Sequence, residues 1–238
     1  NVLRRHLLDS LVSYDRFFSA MFTDPAKATE FIPKPKEFMD NVFLAGSISP
    51  NTLAHPDIFS HFTTNELIGL GISRNNKLYF SFGISAEEGE YVSSIAKPLI
   101  EDIVAKADEA VKPESGRAAD LRFGHDVGLL PLIGTIGIAG MEERWKSLDV
   151  HRHWFDFEMM PMASNLQMIF FRNRKGDVLV KLVYNDKETY IPAVQTYNGV
   201  FHKWNDLREY LVKTAAAISD EHIVKDNDGK ERTGVAGM

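Results

Sequence analysis

The apolar residues of the first third of the chain return at helical spacing. Five of them fall near one helical face and predict a helix over Val2–Met21: Leu3, Leu7, Leu8, Leu11 and Phe18. Thr63 and Glu66 have the spacing of a capping box, so a longer helix is expected to run from there to Phe82. Two shorter helices and a loop are predicted between these, over Ala26–Ile32, Lys36–Leu44 and Pro50–Phe62 respectively. This part of the chain is therefore expected to be almost entirely helical.

The rest of the chain alternates between helical and strand-like patterns. Helices are predicted over Glu88–Val111, Val127–Ile138 and Trp204–Ala217. Strands are predicted over Asp120–Phe123, Leu166–Arg172 and Val178–Tyr184, the last two joined by a turn at 173–177. Pro131 is expected in the first turn of its helix, where a missing N–H costs little. The order of elements indicates an α/β fold class, with a layer of sheet and helices beside a helical cap.

Composition argues against several classes of function and does not point to a particular one. The formal net charge of −6 argues against a nucleic-acid-binding protein, which needs a basic surface. No cysteine is present, which excludes disulfides, thiolate catalysis and cysteine metal sites. No apolar run approaches the ~18 residues of a membrane span. The chain begins at Asn1 without an initiator Met or a signal segment, and we expect it to be a fragment of a longer protein.

The segment with the clearest chemistry is Ala119–Leu132, whose predicted layout is a strand, a glycine, a His-Asp pair and a helix. Gly124 permits a sharp turn out of the strand, which places His125 and Asp126 where the helix begins. Helix N-termini attract anions, a histidine can donate to a phosphate oxygen, and a protonated Asp can protonate a leaving alkoxide. The pair therefore fits acid-catalysed cleavage of a phosphate ester. The structural alternative is that Asp126 is only a helix cap.

The full string over 119–132 closely resembles the second signature of the histidine acid phosphatases, the branch that contains phytases and inositol polyphosphate phosphatases. Residues 62–83 and 154–167 resemble further parts of that family. The resemblance implies an α/β phosphatase domain at 88–218, a helical α-domain at 1–87 and a polar tail at 219–238. It also implies a reaction through phosphohistidine, in which His125 binds phosphate and Asp126 is the general acid. The implied substrates are inositol phosphates such as phytate, the implied location is periplasmic or secreted, and no cofactor or metal is implied.

The sequence departs from the family pattern by lacking the Arg-His-Gly motif that carries the nucleophile. Arg4-Arg5-His6 is followed by Leu7 and not by the glycine that lets the backbone approach a phosphate. We therefore expect this chain to be inactive alone. We also expect it to bury its incomplete sheet against the missing N-terminal segment or a second copy of itself.

Two other groups of residues are candidates for function. Arg122 could help to bind phosphate, although a structural salt bridge is an equal alternative. His151 and His153 with Asp156 and Glu158 could ligate a metal if they lie on a strand, but a polar strand entry is the simpler interpretation. Three functions stay open: a phosphomonoesterase, a catalytically inactive binding protein on the same fold, and an α/β domain whose His-Asp pair is only a helix cap.

Overall fold

The computed structural model describes residues 8–146, 149–220, 223–225 and 231–233. Helices and an antiparallel sheet give a mixed α/β structure, and the predicted fold class is confirmed. The chain forms two compact units, Asn1–Lys77 and Leu78–Met238. The domain boundary expected after residue 87 stays a prediction. Within the described residues, no helix combines the length and the apolar character needed to cross a lipid bilayer.

The first unit is built from helices that end near the predicted breaks. They are α1 (Tyr14–Met21), α2 (Pro25–Phe31), α3 (Pro35–Ile48) and the greater part of α4 (Thr64–Phe82), with 3₁₀ turns at Ser49–Asn51 and Phe59–His61. The single helix predicted over Val2–Met21 is wrong. Residues 8–11 are helical, the helix is interrupted at 12–13, and Ser13 caps α1 by accepting the Arg16 N–H at 3.3 Å. Residues 2–7 of that prediction lie outside the described residues.

Aromatic side chains fill the core of the first unit. Phe17 and Met39 are fully buried, and the Phe17 ring lies 4.5 Å from the ring of Phe62. The capping box at the start of α4 is confirmed. The Thr63 N–H donates to Glu66 Oε2 at 2.8 Å, and the Glu66 N–H donates to Thr63 Oγ1 at 3.3 Å.

The second unit contains the remaining helices. They are α5 (Gly89–Ala110), α6 (Asp126–Thr135), α7 (Asp156–Met159) and α8 (Trp204–Ala217), with a 3₁₀ turn at Val150–Arg152. The predictions over Glu88–Val111 and Trp204–Ala217 are confirmed to within one residue at each end. The placement of Pro131 in a first turn is wrong, because α6 begins at Asp126 and Pro131 lies inside it. α6 also ends earlier than predicted, shortly before Gly137, which has φ +66°.

A small antiparallel sheet covers one side of this unit's core. Its strands are β1 (Leu166–Arg172), β2 (Val178–Tyr184), β3 (Lys187–Thr189) and β4 (Phe201–Lys203), and β2 pairs with all three others. The predicted hairpin of β1 and β2 is confirmed, with Leu166 opposite Tyr184. β3 was not predicted. It follows β2 through Asn185 and Asp186, whose φ values of 48° and 64° match a two-residue hairpin turn.

The strand predicted over Asp120–Phe123 is wrong. Residues 116–125 form neither helix, strand, turn nor bend. The apolar and polar residues alternate there as in a strand, but β structure depends on a neighbouring strand, and in the described parts of the chain none pairs with this segment. The consequence is an irregular stretch immediately before the His-Asp pair.

Alternation along β2 decides which side of the sheet is buried. Val180 and Leu182 are fully buried and belong to the same core as Leu207 of α8 and Ile133 of α6. α5 packs against both α6 and α8, so the start of α6 is carried on a well-packed base.

The predicted polar tail is described only in part. Lys97 Nζ donates to the carbonyl of Ile218 at 3.1 Å and pairs with Asp220. Two short strands, β5 (Ile223–Lys225) and β6 (Glu231–Thr233), pair antiparallel with each other. The other residues of 221–238 lie outside the described residues.

Candidate functional site

The segment that leads to the His-Asp pair, residues 118–124, lacks the backbone hydrogen bonds of a helix or strand within the described structure. Among the described residues, no backbone–backbone hydrogen bond involves an N–H or a C=O of residues 118–124. Such groups are normally paired with protein or with water. All the residues of this stretch are exposed, so water is available to pair with these groups.

Ion pairs hold this segment against α5. Arg122 Nη2 lies 2.6 Å from Asp102 Oδ2, and Arg122 Nη1 lies 2.9 Å from Asp120 Oδ1. Arg117 Nη1 lies 2.6 Å from Asp120 Oδ2, and its Nη2 lies 3.4 Å from Glu109 Oε2. Asp102 and Glu109 lie on α5, two helical turns apart and therefore on one face. We call these five charged residues the clamp.

Sequence reasoning identified Arg122 and missed the other four members of the clamp. The available signals were the seven-residue spacing of Asp102 and Glu109 and the alternation of charge over Arg117, Asp120 and Arg122. Neither signal shows by itself that the two sets of charges meet. The phosphate-binding role of Arg122 stays a prediction.

The apolar residues of the segment are exposed. Asp120 and Arg122 alternate with Leu121 and Phe123, whose side chains are 75% and 93% exposed. These two large apolar side chains lie two residues apart in the sequence, and both are open to solvent. The segment therefore combines charged side chains that form ion pairs with apolar side chains that are exposed.

His125 and Asp126 begin α6. His125 is the N-cap residue, with φ −114° and ψ 168°, and its carbonyl oxygen accepts the N–H of Gly128 at 3.0 Å and of Leu129 at 3.2 Å. Asp126 is the first helical residue, and its Oδ1 accepts the N–H of Val127 at 2.9 Å. The cap position thus belongs to His125, not to Asp126. Asp126 still satisfies one of the free N–H groups of the helix start.

The surroundings of the pair suit an anion. Both side chains are exposed, and both lie at the N-terminus of a ten-residue helix, where the free N–H groups and the dipole favour negative charge. An imidazole and a carboxyl group at that point can hold a phosphate and exchange a proton with it. The pair does not line either of two cavities in this unit, one of about 10 Å³ beside Trp154 and a groove of about 350 Å³ between α5 and α8.

The second candidate group does not have its predicted geometry. His151 lies in the 3₁₀ turn Val150–Arg152 and not on a strand, so alternation does not bring it to one face with His153. The His153 ring stacks on Trp145, with centroids 3.9 Å apart and planes within 9°. In the part of the chain that the structure describes, no three His, Asp or Glu side chains are placed to hold a metal ion.

Comparison with protein families gives one match. The family described as the histidine phosphatase superfamily (branch 2) matches residues 41–185, more than half of the chain. That range includes α4, α5, the clamp, the His-Asp pair, β1 and β2. No curated protein matches the sequence closely enough to be named. On this match, the chain belongs to branch 2 of the histidine phosphatase superfamily.

Proposed function

We propose that the chain supplies the proton-donating half of a phosphomonoesterase site. Its family supports a phosphatase-type function. The observation that carries the proposal is the position of His125 and Asp126, exposed together at the N-terminus of α6 inside the range that the family matches. A phosphate placed there meets an imidazole, a carboxyl group and the positive end of a helix dipole.

The proposed reaction has two steps. A histidine nitrogen attacks phosphorus, the P–O bond of the ester breaks, and Asp126 gives its proton to the leaving oxygen. Water then attacks the phosphohistidine, the Asp126 carboxylate takes a proton from that water, and the P–N bond breaks to release phosphate and restore the histidine. His125 holds the phosphoryl oxygens in both steps.

The proposed substrate is a phosphorylated polyol, with inositol polyphosphates such as phytate as the leading candidates. This choice is supported by the resemblance of residues 119–132 to the signature of inositol polyphosphate phosphatases. A periplasmic or secreted location belongs to the same proposal.

The nucleophile of the proposed reaction comes from outside these 238 residues, since the sequence has no Arg-His-Gly. The uncovered Leu121 and Phe123, and the free backbone of 118–124, supply a surface on which a further segment or a second copy of the chain would pack.

The first test is an assay of the 238-residue chain alone with p-nitrophenyl phosphate. We expect no turnover above background, because attack and protonation must occur on opposite sides of phosphorus. The coding region upstream of Asn1 is then sequenced, and the polypeptide that it encodes is assayed in the same way. We expect an Arg-His-Gly motif and turnover. Turnover by the 238-residue chain itself would contradict the assigned roles, because another histidine would have to be the nucleophile.

The alternative is a catalytically inactive binding protein on the same fold, which the lack of an Arg-His-Gly motif favours. The two functions differ in one outcome. An upstream polypeptide that contains no Arg-His-Gly, and that binds but does not hydrolyse phosphate esters, would support the binding protein.

A further inference from the structure

We propose that Arg122 is a positioning residue. Its ion pairs with Asp102 and Asp120 hold in place the segment that leads to the His-Asp pair. The inference rests on the proposed phosphate site at His125 and Asp126. The clamp keeps the start of α6 in the conformation that binds an anion.

The contacts of Arg122 leave it poorly suited to bind phosphate directly. Both terminal nitrogens of its guanidinium group are held by carboxylates, Nη2 by Asp102 at 2.6 Å and Nη1 by Asp120 at 2.9 Å. Bidentate recognition of a phosphate uses the same kind of paired N–H groups. A phosphate brought to Arg122 would also approach two carboxylates of its own sign.

The segment has few other means of staying in place. Its backbone between 118 and 124 makes no backbone hydrogen bond within the described residues, and Leu121 and Phe123 are not packed. A chain stretch without these contacts normally moves freely. The clamp replaces them with side-chain contacts to two points of α5, Asp102 and Glu109.

The clamp acts close to the proposed chemistry. Arg122 and His125 are three residues apart, so their Cα atoms lie at most about 11 Å from each other. α5 itself packs on α6, the helix that His125 caps. Arg122 and α6 are thus both held against α5, and we expect this to limit the movement of residues 122–126.

The test compares Asp102→Asn with Glu101→Gln in the full 238-residue chain. Each substitution removes one negative charge from the same turn of α5. Of these two residues, Asp102 pairs with Arg122, whereas Glu101 forms no ion pair among the described residues. Backbone ¹⁵N relaxation measures the order parameters of residues 119–125, and thermal unfolding confirms that both variants fold. We expect order parameters below about 0.6 for this segment in Asp102→Asn, and wild-type values in Glu101→Gln.

The second readout is binding of inorganic phosphate, followed through the ring signals of His125, which are assigned by their absence in His125→Asn. A positioning role predicts that Asp102→Asn weakens phosphate binding by about two- to fivefold relative to Glu101→Gln, the size expected for a partly exposed ion pair. If Arg122 instead binds phosphate, Asp102→Asn frees it and binding becomes tighter. Arg122→Lys, which keeps the charge but not the fork, should recover part of the loss seen in Arg122→Ala.

The outcomes separate the two proposals. A wild-type chain whose His125 signals do not respond to phosphate overturns the phosphate site. A wild-type chain that responds, with Asp102→Asn equal to Glu101→Gln in order parameters and in binding, overturns the positioning role alone. Tighter binding in Asp102→Asn than in Glu101→Gln also overturns it, and assigns Arg122 to the phosphate.

Discussion

The carboxyl group of Asp126 makes a structural hydrogen bond and is also the proposed proton donor. Its Oδ1 accepts the Val127 N–H at 2.9 Å, which holds the side chain against the first turn of α6. Oδ2 makes no hydrogen bond among the described residues, and the residue is exposed. The contact fixes the group while leaving one oxygen for proton transfer.

Asp126→Asn should separate these two tasks. The amide oxygen of Asn can still accept the Val127 N–H, so we expect the fold to be kept. Loss of the proton donor should lower turnover of an alkyl phosphate by about 10²–10⁴-fold in the active polypeptide. The loss should be smaller for an aryl phosphate, whose leaving group needs little protonation. Steady-state assays with both esters check this, and Asp24→Asn, which alters the cap of α2, is the control. Equal losses on both esters would contradict the role of Asp126.

His202 is a second residue with a defined protonation state. It is fully buried on β4, its Nε2 accepts the Ile191 N–H at 3.1 Å, and its Nδ1 lies 3.0 Å from the Gln195 carbonyl oxygen, to which it donates. Burial lowers the pKa of the His202 ring, while the Gln195 carbonyl and the Asp206 carboxylate act in the opposite direction. The neutral ring is therefore part of the folded structure.

Stability should fall in acid because of His202. An unfolded histidine titrates near pH 6.5, so the contribution is complete above that pH and is lost as the pH falls toward the lower folded pKa. Denaturant unfolding at pH 7.5 and 5.5 should show a larger decrease in the wild type than in His202→Gln. The variant should be less stable at both pH values by roughly 1–3 kcal/mol, the cost of a buried hydrogen-bond partner. Equal decreases in the two proteins would exclude His202 as the cause.

At the scale of elements, α4 depends on an ion pair as well as on its capping box. Glu66 is 1% exposed and accepts from Arg16 Nε at 2.8 Å as well as from Thr63. Burial acts to raise the pKa of Glu66, but the hydrogen bonds from Arg16 and Thr63 outweigh it and the pKa is lowered. The carboxylate therefore stays charged inside the first unit.

Removal of Arg16 should leave that charge without its partner. We expect Arg16→Leu to lower the free energy of unfolding by roughly 1–3 kcal/mol, since a buried charged acceptor loses its two hydrogen bonds from Arg16 and keeps only the one from Thr63. Lys34→Leu is a matched control, because Lys34 pairs with Glu37 on the surface, where ion pairs contribute between 0 and about 1 kcal/mol. Urea unfolding of both variants measures the difference. Similar effects in the two variants would show that Glu66 finds solvent or another partner.

The elements that local sequence determines were the ones that could be predicted. α4, α5, α8 and the β1–β2 hairpin follow from periodicity, a capping box and a glycine turn, which act within a few residues. The strand expected at Asp120–Phe123 depends on a partner strand, which lies beyond what a local pattern can show. The same holds for the site: the His-Asp pair was visible as a motif, whereas the clamp requires knowing that residues 117–122 lie along α5.

At the scale of the whole molecule, the uncovered Leu121 and Phe123 should promote self-association of the isolated chain. Leu121→Ser with Phe123→Ser should shift its mass in solution toward that of a monomer, because apolar surface drives association in proportion to its area. Light scattering coupled to size exclusion measures this. Phe31→Ser is the control, since Phe31 is 76% exposed in the first unit. A wild-type chain that is already monomeric would contradict the expectation that this surface is covered.

The clamp also makes the mobility of residues 117–124, which lead to α6, sensitive to the salt concentration. Its members are between about a quarter and a half exposed, from 28% for Asp120 to 53% for Glu109, so dissolved ions reach the charges. The distance over which such charges sense one another shrinks from about 10 Å at 0.1 M salt to about 3 Å at 1 M. A concentrated buffer would therefore loosen residues 117–124 without altering the apolar core beneath them, and a dilute one would tighten them. Raising the ionic strength is therefore expected to increase the mobility of this stretch of chain while the apolar core stays unchanged.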